Sequence, residues 1–335
     1  MTATYERYIL NFKRPSGTSR GVLNTKETFI LRISENEKTS IGECALFRGL
    51  SYDDVPEYEE KLQWLCDNIN EDRTILEKQL RHFPSIWFGY EQAMLNLKWG
   101  KSIYFPSPFT EGKDTIKING LIWMGDVAFM EEQIQDKLSQ GFDCIKLKIG
   151  VNWQEEYKIL KELRKKFKKD ELELRVDANG AFSFSEAQGV LAQLSELEIH
   201  SIEQPIKAKN THLMQQLCVE TPTPIALDEE LIGIVDFHKK QELLEEIRPQ
   251  YIILKPSLVG GFSGTDEWIS IAENLNIGWW ITSALESNIG LNAIAQYTYT
   301  KQNPMPQGLG TGGLFTNNFT TNLQLENDRL GIKNI

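Results

Sequence analysis

The sequence predicts an α/β fold in which a parallel strand–helix repeat follows a smaller mixed segment. Three observations carry this reading. From residue 115 onward, short apolar strands alternate with amphipathic helical stretches eight times. That pattern calls for a parallel sheet and, at eight units, favours a closed barrel over the alternative of an open, doubly wound sheet. Charged residues close successive strands at Lys148, Asp177, Glu203, Asp228 and Lys255, with gaps of 29, 26, 25 and 27 residues, each about one strand plus one helix. In these strands the charged residue falls on the face opposite the apolar set, as a side-chain period of two dictates.

Residues 5–12 and 26–34 read as strands. The segment between them, "KRPSGTSRGVLNT" (13–25), is rich in Gly, Ser and basic residues and predicts a mobile hairpin loop. After "IGECALFRGLSYDD" (41–54) a helical pattern runs from about 53 to 99, broken near Pro84. "SIYFPSPFTEGKD" (102–114), with two prolines, marks a domain boundary. The eight strands are "TIKINGLIW" (115–123), "CIKLKIG" (144–150), "LELRVDANG" (172–180), "HSIEQP" (200–205), "TPIALDEE" (223–230), "YIILKPS" (251–257), "IGWWITSALES" (277–287) and "PQGLG" (306–310). Intervening stretches such as "FSEAQGVLAQLSELE" (184–198) have helical apolar spacing.

Composition narrows the function classes. Of 335 residues, 41% are hydrophobic and 25% charged, which is ample for a packed core. The start, "MTATYERYILNFKRPSG", has no apolar run of signal-peptide type, and no later stretch reaches membrane-spanning length. The four cysteines (Cys44, Cys66, Cys144, Cys218) form no metal-spaced pair and read as reduced, buried thiols of a cytoplasmic protein. With 36 basic and 47 acidic residues the net charge is −11, which argues against nucleic acid or a membrane as main partner. The basic run "KELRKKFKK" (161–169) closes a helical pattern, where cations suit the helix dipole, and reads as a solvated face.

The strand "DCIKLKIG" (143–150) sets Lys146 and Lys148 one step apart on one face, where like charges repel. In a barrel the apolar faces meet the helices, so the charged residues converge at the inner, C-terminal mouth, where barrel enzymes keep their chemistry. Asp177, Glu203 and Asp228 then face the lysines. Three carboxylates from consecutive strands, with no Cys or His nearby, suit Mg²⁺ (or Mn²⁺) in octahedral oxygen coordination, and Asn179 is an added polar contact. Glu229 and Glu230 read as a surface carboxylate or helix cap. A lysine beside a divalent cation and another ammonium is expected to have a lowered pKa, as a general base requires. The ligand implied is a small-molecule carboxylate, with the metal neutralising charge as the α-proton leaves.

These residues resemble the enolase superfamily in its muconate-lactonising branch. The matching segments are "KLK" (146–148), "RVDAN" (175–179), "IEQP" (202–205), "LDE" (227–229) and "LKPS" (254–257). That superfamily's use of a lysine or histidine base with Mg²⁺ is a known pattern, not a deduction from this chain. The resemblance implies a modified (β/α) TIM-type barrel over residues 111–312, under an α+β capping domain at 1–110, with a C-terminal segment (313–335) returning to the cap. "GECALFRGLS" (42–51) resembles the family's second cap loop and 13–25 its mobile first loop.

Within the branch, Arg175, "SALESNIG" (283–290) and "GLGTGGLF" (308–315) resemble the dehydratases that aromatise 2-succinyl-6-hydroxy-2,4-cyclohexadiene-1-carboxylate in menaquinone biosynthesis. The resemblance then implies that Lys148 takes the α-proton and returns it to the departing hydroxyl on the same face. Lys255 sits as a cation over the opposite face of the ring. Lys146, Arg175, Ser283, Glu286, Gly310 and Gly312 are the implied substrate contacts, with backbone N–H groups of the glycine-rich loop meeting the succinyl carboxylate. The alternative within the branch is an N-succinylamino acid racemase or a dipeptide epimerase. Dipeptide epimerases carry an acidic pair after the eighth strand to hold an ammonium, where this chain reads "GTGGLF". A non-catalytic barrel would have no use for five converging charges, which cost stability when idle.

Overall fold

Residues 1–18 and 21–333 are described by the structure, a computed structural model. Three antiparallel strands open the chain, β1 (Thr2–Thr18), β2 (Gly21–Glu35) and β3 (Lys38–Cys44), in the order β1-β2-β3. On β2, Lys26, Thr28 and Ile30 are buried on one face, while Phe29, Leu31 and Ile33 recur at every second residue and are buried on the other. Three helices cover that face, α1 (Tyr58–Asp67), α2 (Arg73–Leu80) and α3 (Pro84–Trp99), and Leu62, Leu65, Leu76 and Ile86 complete one core. Pro84 starts α3 at a position where its missing N–H is no loss.

The segment 13–25, expected to be a loop, is largely strand. Pairing of β1 with β2 continues past an irregularity after Asn11 through Ser16↔Leu23, Gly17↔Val22 and Thr18↔Gly21. Antiparallel ladder bonds need no apolar pattern, which is why composition misread this stretch. Ser19 and Arg20, which belong to the expected loop, lie outside the described residues.

β3 and α3 touch backbone to backbone. A Cβ on Gly42 would stand 2.0 Å from the Gly89 carbonyl oxygen, and one on Gly89 would stand 2.4 Å from Cys44 Sγ. Neither neighbour is a flexible side-chain end that can swing away. Gly42→Ala should therefore destabilise the protein by about 3 kcal/mol, at the upper end of overpacking costs, read as a lowered urea midpoint. A midpoint equal to wild type would show that the sheet–helix spacing relaxes freely.

The repeat then begins with β4 (Ile116–Lys117), β5 (Gly120–Ile122) and α4 (Val127–Ser139), followed by β6 (Cys144–Lys148) and α5 (Trp153–Lys166). Next come β7 (Glu173–Asp177), α6 (Phe184–Glu196), β8 (Ser201–Glu203), α7 (Thr211–Glu220), β9 (Ile225–Leu227) and α8 (Phe237–Ile247). The series ends with β10 (Tyr251–Leu254), α9 (Pro256–Val259), α10 (Gly261–Asn274), β11 (Gly278–Ile281) and α11 (Asn288–Thr300). Strands β5 to β11 form one parallel sheet in sequence order.

The eighth position is a pair of residues. Gln307 bridges Ile118 and Gly308 bridges Thr282, both in parallel, through Asn119 N–H to Gln307 O (3.0 Å) and Gly308 N–H to Ile281 O (2.8 Å). The sheet thereby curls shut, and the predicted α/β barrel beneath an antiparallel cap is observed. Outward-facing Ile145, Leu147, Leu174, Val176, Ile202, Ile225 and Leu227 pack against the helices in the main core. Local rules are visible in the helices: Ser183 and Glu186 form a reciprocal capping box at the start of α6. The basic run closes α5, where Arg164 donates to the carbonyls of Phe167, Leu172 and Leu197.

Past the barrel, Lys13 N–H donates to Leu314 O and Thr316 N–H to Asn11 O, joining 314–316 to the cap strand β1. The chain then forms β12 (Leu323–Glu326) and β13 (Arg329–Ile332), and β13 pairs antiparallel with β4. Among the described residues no helix is long and apolar enough to cross a membrane.

Candidate active site

Parallel register sets the first three charges side by side, since Lys148 pairs with Asp177 and Asp177 with Glu203. Asp228 follows β9 directly and Lys255 follows β10. In a ring of eight strand positions β6 and β10 are four apart, so Lys148 and Lys255 approach the centre from opposite sides.

Cations and anions alternate around the mouth. Lys148 Nζ donates to Asp177 Oδ2 at 2.9 Å and to Asn179 Oδ1 at 2.7 Å. Lys146 Nζ donates to Glu203 Oε2 at 2.5 Å and lies 3.5 Å from Asp177 Oδ2. Lys255 Nζ donates to Asp228 Oδ2 and lies 3.6 Å from Glu203 Oε1. Three ammonium groups are balanced by three carboxylates in a nearly dry site, which is how β6 tolerates two lysines one step apart.

Burial pushes the Asp177 carboxyl up, but Lys148, Lys146 and Lys255 outweigh it and hold the group below the usual carboxylate range. Asp228 goes the other way: burial, joined by Glu229 and Glu203, raises it well above its ordinary value against the pull of Lys255. Burial works to lower Lys146 and Lys255, yet Glu203 and Asp177 raise the first, and Asp228 and Glu203 lead in raising the second. Both stay firmly cationic.

The donor set fits a hard divalent cation. Asp177, Glu203 and Asp228 offer only oxygen, and Glu203 Oε1 is buried with no hydrogen-bond donor, an arrangement that costs free energy unless a cation serves it. Among the described residues no three carboxylate, imidazole or thiol groups are drawn tightly enough together to share an ion. The ammonium groups of Lys146 and Lys255 lie between the carboxylates instead.

Above the charges lies a cavity enclosing about 690 Å³ of atom-free space, its mouth included. Lys146, Lys148, Asp177, Asn179 and Lys255 line it, as do Ser283 and Gly310. Arg175, Glu286 and Gly312, expected as substrate contacts, do not. Arg175 shares the inward face of β7 with Asp177 but lies one layer deeper, where Nε donates to Glu173 at 2.7 Å, Nη1 donates to Pro306 O at 2.9 Å, and the guanidinium sits 4.3 Å from the Trp280 ring. The Glu286 carboxylate is fully buried. Gly312 packs against α11, its Cβ position 3.1 Å from Leu291 Cδ2. Glu230 is no surface carboxylate either: it is buried and accepts from Gln204 Nε2 and Lys209 N–H. Glu229 is half-buried and accepts from Asn179 Nδ2 at 3.1 Å.

Several lining residues escaped the sequence reading. Asn119, Leu121 and Trp123 alternate along the first barrel strand and face inward, and Lys148 Nζ lies 6.0 Å from the Trp123 ring centre. The same period of two that located the charges would have found them, but the strand carries no charge at its C-terminal end, its Lys117 lying near the start. Phe47 and Leu50 reach the cavity from the cap.

A family model of enolase C-terminal domain-like proteins matches residues 129–331, and the chain belongs to the enolase superfamily. The o-succinylbenzoate synthase of Desulfotalea psychrophila is 43% identical over 99% of both chains. The crystal structure of MenC from Desulfotalea psychrophila LSv54 superposes with a TM-score of 0.89 at 40% identity, covering 99% of each chain. Within the superfamily, the chain is a member of the o-succinylbenzoate synthase family. The L-Ala-D/L-Glu epimerase from Bacillus subtilis shares the fold, with a TM-score of 0.85 at 19% identity, covering 99% of this chain and 97% of that one.

Proposed function

We propose that the chain catalyses the Mg²⁺-dependent syn dehydration of 2-succinyl-6-hydroxy-2,4-cyclohexadiene-1-carboxylate to 2-succinylbenzoate, a carbon–oxygen lyase step of menaquinone biosynthesis in the cytoplasm. The observation that carries it is a pair of lysines on opposite sides of three carboxylates, in a chain that is 43% identical end to end to an o-succinylbenzoate synthase. Asp177, Glu203 and Asp228 hold the cation, with Mn²⁺ a substitute. Bound there, it supplies fixed positive charge to the substrate's carboxylate oxygens as the α-carbon loses its proton.

Lys148 does the proton work. Its neutral amine takes the α-proton, and the resulting ammonium returns it to the C6 hydroxyl on the same face. The C–O bond breaks, water leaves, and the electron pair completes the aromatic ring. Lys255 moves no proton. Its carboxylate neighbours keep it charged, which suits a cation resting over the opposite face of a delocalised anion. Lys146 pairs Glu203 and Asp177 and steadies two of the proposed ligands. Ser283 and Gly310 are assigned to the succinyl arm, and the working division is cap 1–110, barrel 111–312 and returning segment 313–335.

Among the described residues no carboxylate lines the eighth-strand end of the cavity, where Gly308, Gly310 and Thr311 lie. A substrate ammonium has no counter-ion there, which disfavours dipeptides but not N-succinylamino acids. The test offers the purified protein with Mg²⁺ both substrate types, following the ultraviolet absorbance of the aromatic product and the optical rotation of an N-succinylamino acid. The expected result is a kcat/KM at least about tenfold higher for the cyclohexadiene, a difference of roughly 1.4 kcal/mol in barrier. A kcat/KM favouring the amino acid would reassign the same lysines to a racemase.

A further inference from the structure

The loop 283–287 carries Ser283 and Ala284 into the cavity lining and then turns toward two buried carboxylates. Glu286 is fully buried; its Oε2 accepts the Ala284 N–H at 2.6 Å and its Oε1 accepts the Ser257 hydroxyl at 2.6 Å. Ser257 lies two residues after Lys255, in the first turn of α9. Glu286 thus ties the lining loop to the segment that presents Lys255. On the cap side Glu43 of β3 is fully buried too. Its carboxylate accepts the Thr28 hydroxyl (2.9 Å), the N–H (3.0 Å) and hydroxyl (2.6 Å) of Ser287, and the Gly290 N–H (3.0 Å). A cap strand therefore supplies the anion at the N-terminus of α11.

Near these carboxylates lies a buried cation that no proposed step uses. Lys26, Thr28 and Ile30 share one face of β2, and Ile30 pairs with Glu43, so Lys26 projects on the side where Glu43 projects. Lys26 pairs with Leu10, and Leu10 packs in one cluster with Leu285. The side chain is 3% exposed and its ammonium has no hydrogen-bond partner. Burial lowers its pKa, opposed by the charges of Glu43 and Glu286. An ammonium buried without a hydrogen bond costs stability, and apolar replacement of buried ionic groups is often neutral or stabilising. Stability therefore does not account for Lys26.

We propose that Lys26 is a positioning residue whose charge holds Glu43 and Glu286 together across the cap–barrel boundary, fixing the lining loop 283–287 and the Lys255 segment behind it. The effect on turnover rests on the role given to Lys255 above; the effect on the loop does not. Lys26→Met leaves two buried carboxylates without this cation. Glu286→Gln keeps both local bonds, its carboxamide oxygen accepting from Ala284 N–H and its NH₂ donating to Ser257, while removing the charge. The double variant K26M/E286Q therefore rebalances the charge without restoring the lysine.

The experiment measures amide hydrogen exchange over 283–290 and steady-state kinetics for wild type, K26M and K26M/E286Q. In K26M, exchange over 283–290 should quicken, and kcat should fall about tenfold or more, the size seen when a supporting shell is removed, with KM changed less than about threefold. In the double variant both should return toward wild type, the non-additivity expected of directly coupled groups. Wild-type exchange and kcat in K26M would overturn the proposal, as would a double variant no better than K26M. Should K26M fail to fold, the double variant must fold and keep the wild-type exchange pattern; an unfolded double, or one equally loose over 283–290, overturns it. If wild type does not turn over the cyclohexadiene, the proposed function fails, and the exchange series alone decides the role of Lys26.

Discussion

Lys148→Ala should take turnover of the cyclohexadiene below detection while leaving the protein folded. The lysine is the one group assigned to both proton transfers, and general acid–base catalysis contributes about 10²–10⁴ per step. No neighbour can take over. The Lys146 ammonium is committed to Glu203 at 2.5 Å, and Lys255 is held cationic by Asp228 and Glu203. The fold should tolerate the change because Asp177 keeps Lys146 at 3.5 Å as a counter-ion. Lys148→Arg sharpens the result. Guanidinium restores the positive charge beside Asp177 and Asn179 but cannot give up its proton in the working pH range. If Lys148 acts as a base, both variants are dead; if it acts only as a charge, the arginine variant recovers activity. Ultraviolet kinetics with a circular-dichroism melt reads both, and a kcat within about tenfold of wild type in either variant would refute the assignment.

The parts of this site legible in the sequence are those fixed by period. Strand-end charges recur every 25 to 29 residues because each barrel unit is one strand and one helix. Two-residue alternation then gave their common face, and parallel register, with Lys148 beside Asp177 beside Glu203, follows from the same regularity. Depth is not periodic. Arg175 and Asp177 share an inward face, yet a step of two residues along a strand is one layer down the barrel. There Arg175 meets Glu173 and Trp280. Nor does a sequence say which way a loop carboxylate turns. Glu286, an implied substrate contact in "SALES", accepts instead from Ala284 N–H and the Ser257 hydroxyl. The segment 13–25 misled for a third reason: its ladder bonds belong to the backbone, and composition reports only side chains.

The second large effect is on the metal. Chelated protein should show no turnover, and Mg²⁺ or Mn²⁺ should restore it, since both take oxygen donors in octahedral sites. Among the three proposed ligands Glu203 is the informative one to change. It stands on β8 between the strands of Asp177 and Asp228, and its Oε1 is buried with no hydrogen-bond donor. Glu203→Gln is nearly isosteric but uncharged, and the Lys146 and Lys255 ammonium groups on either side then repel an incoming cation with one carboxylate fewer to offset them. Cation affinity should fall about a hundredfold, an estimate of roughly 2.7 kcal/mol. A readout free of activity follows from linkage. At a Mg²⁺ concentration 100 times the wild-type Kd, binding stabilises the folded state by about 2.7 kcal/mol, and at that concentration E203Q should gain only about 0.4 kcal/mol. Wild type should therefore melt several degrees higher on adding Mg²⁺ while E203Q barely moves. Equal rises in the two proteins would remove Glu203 from the metal site, and turnover in the metal-free wild type would remove the metal from the reaction.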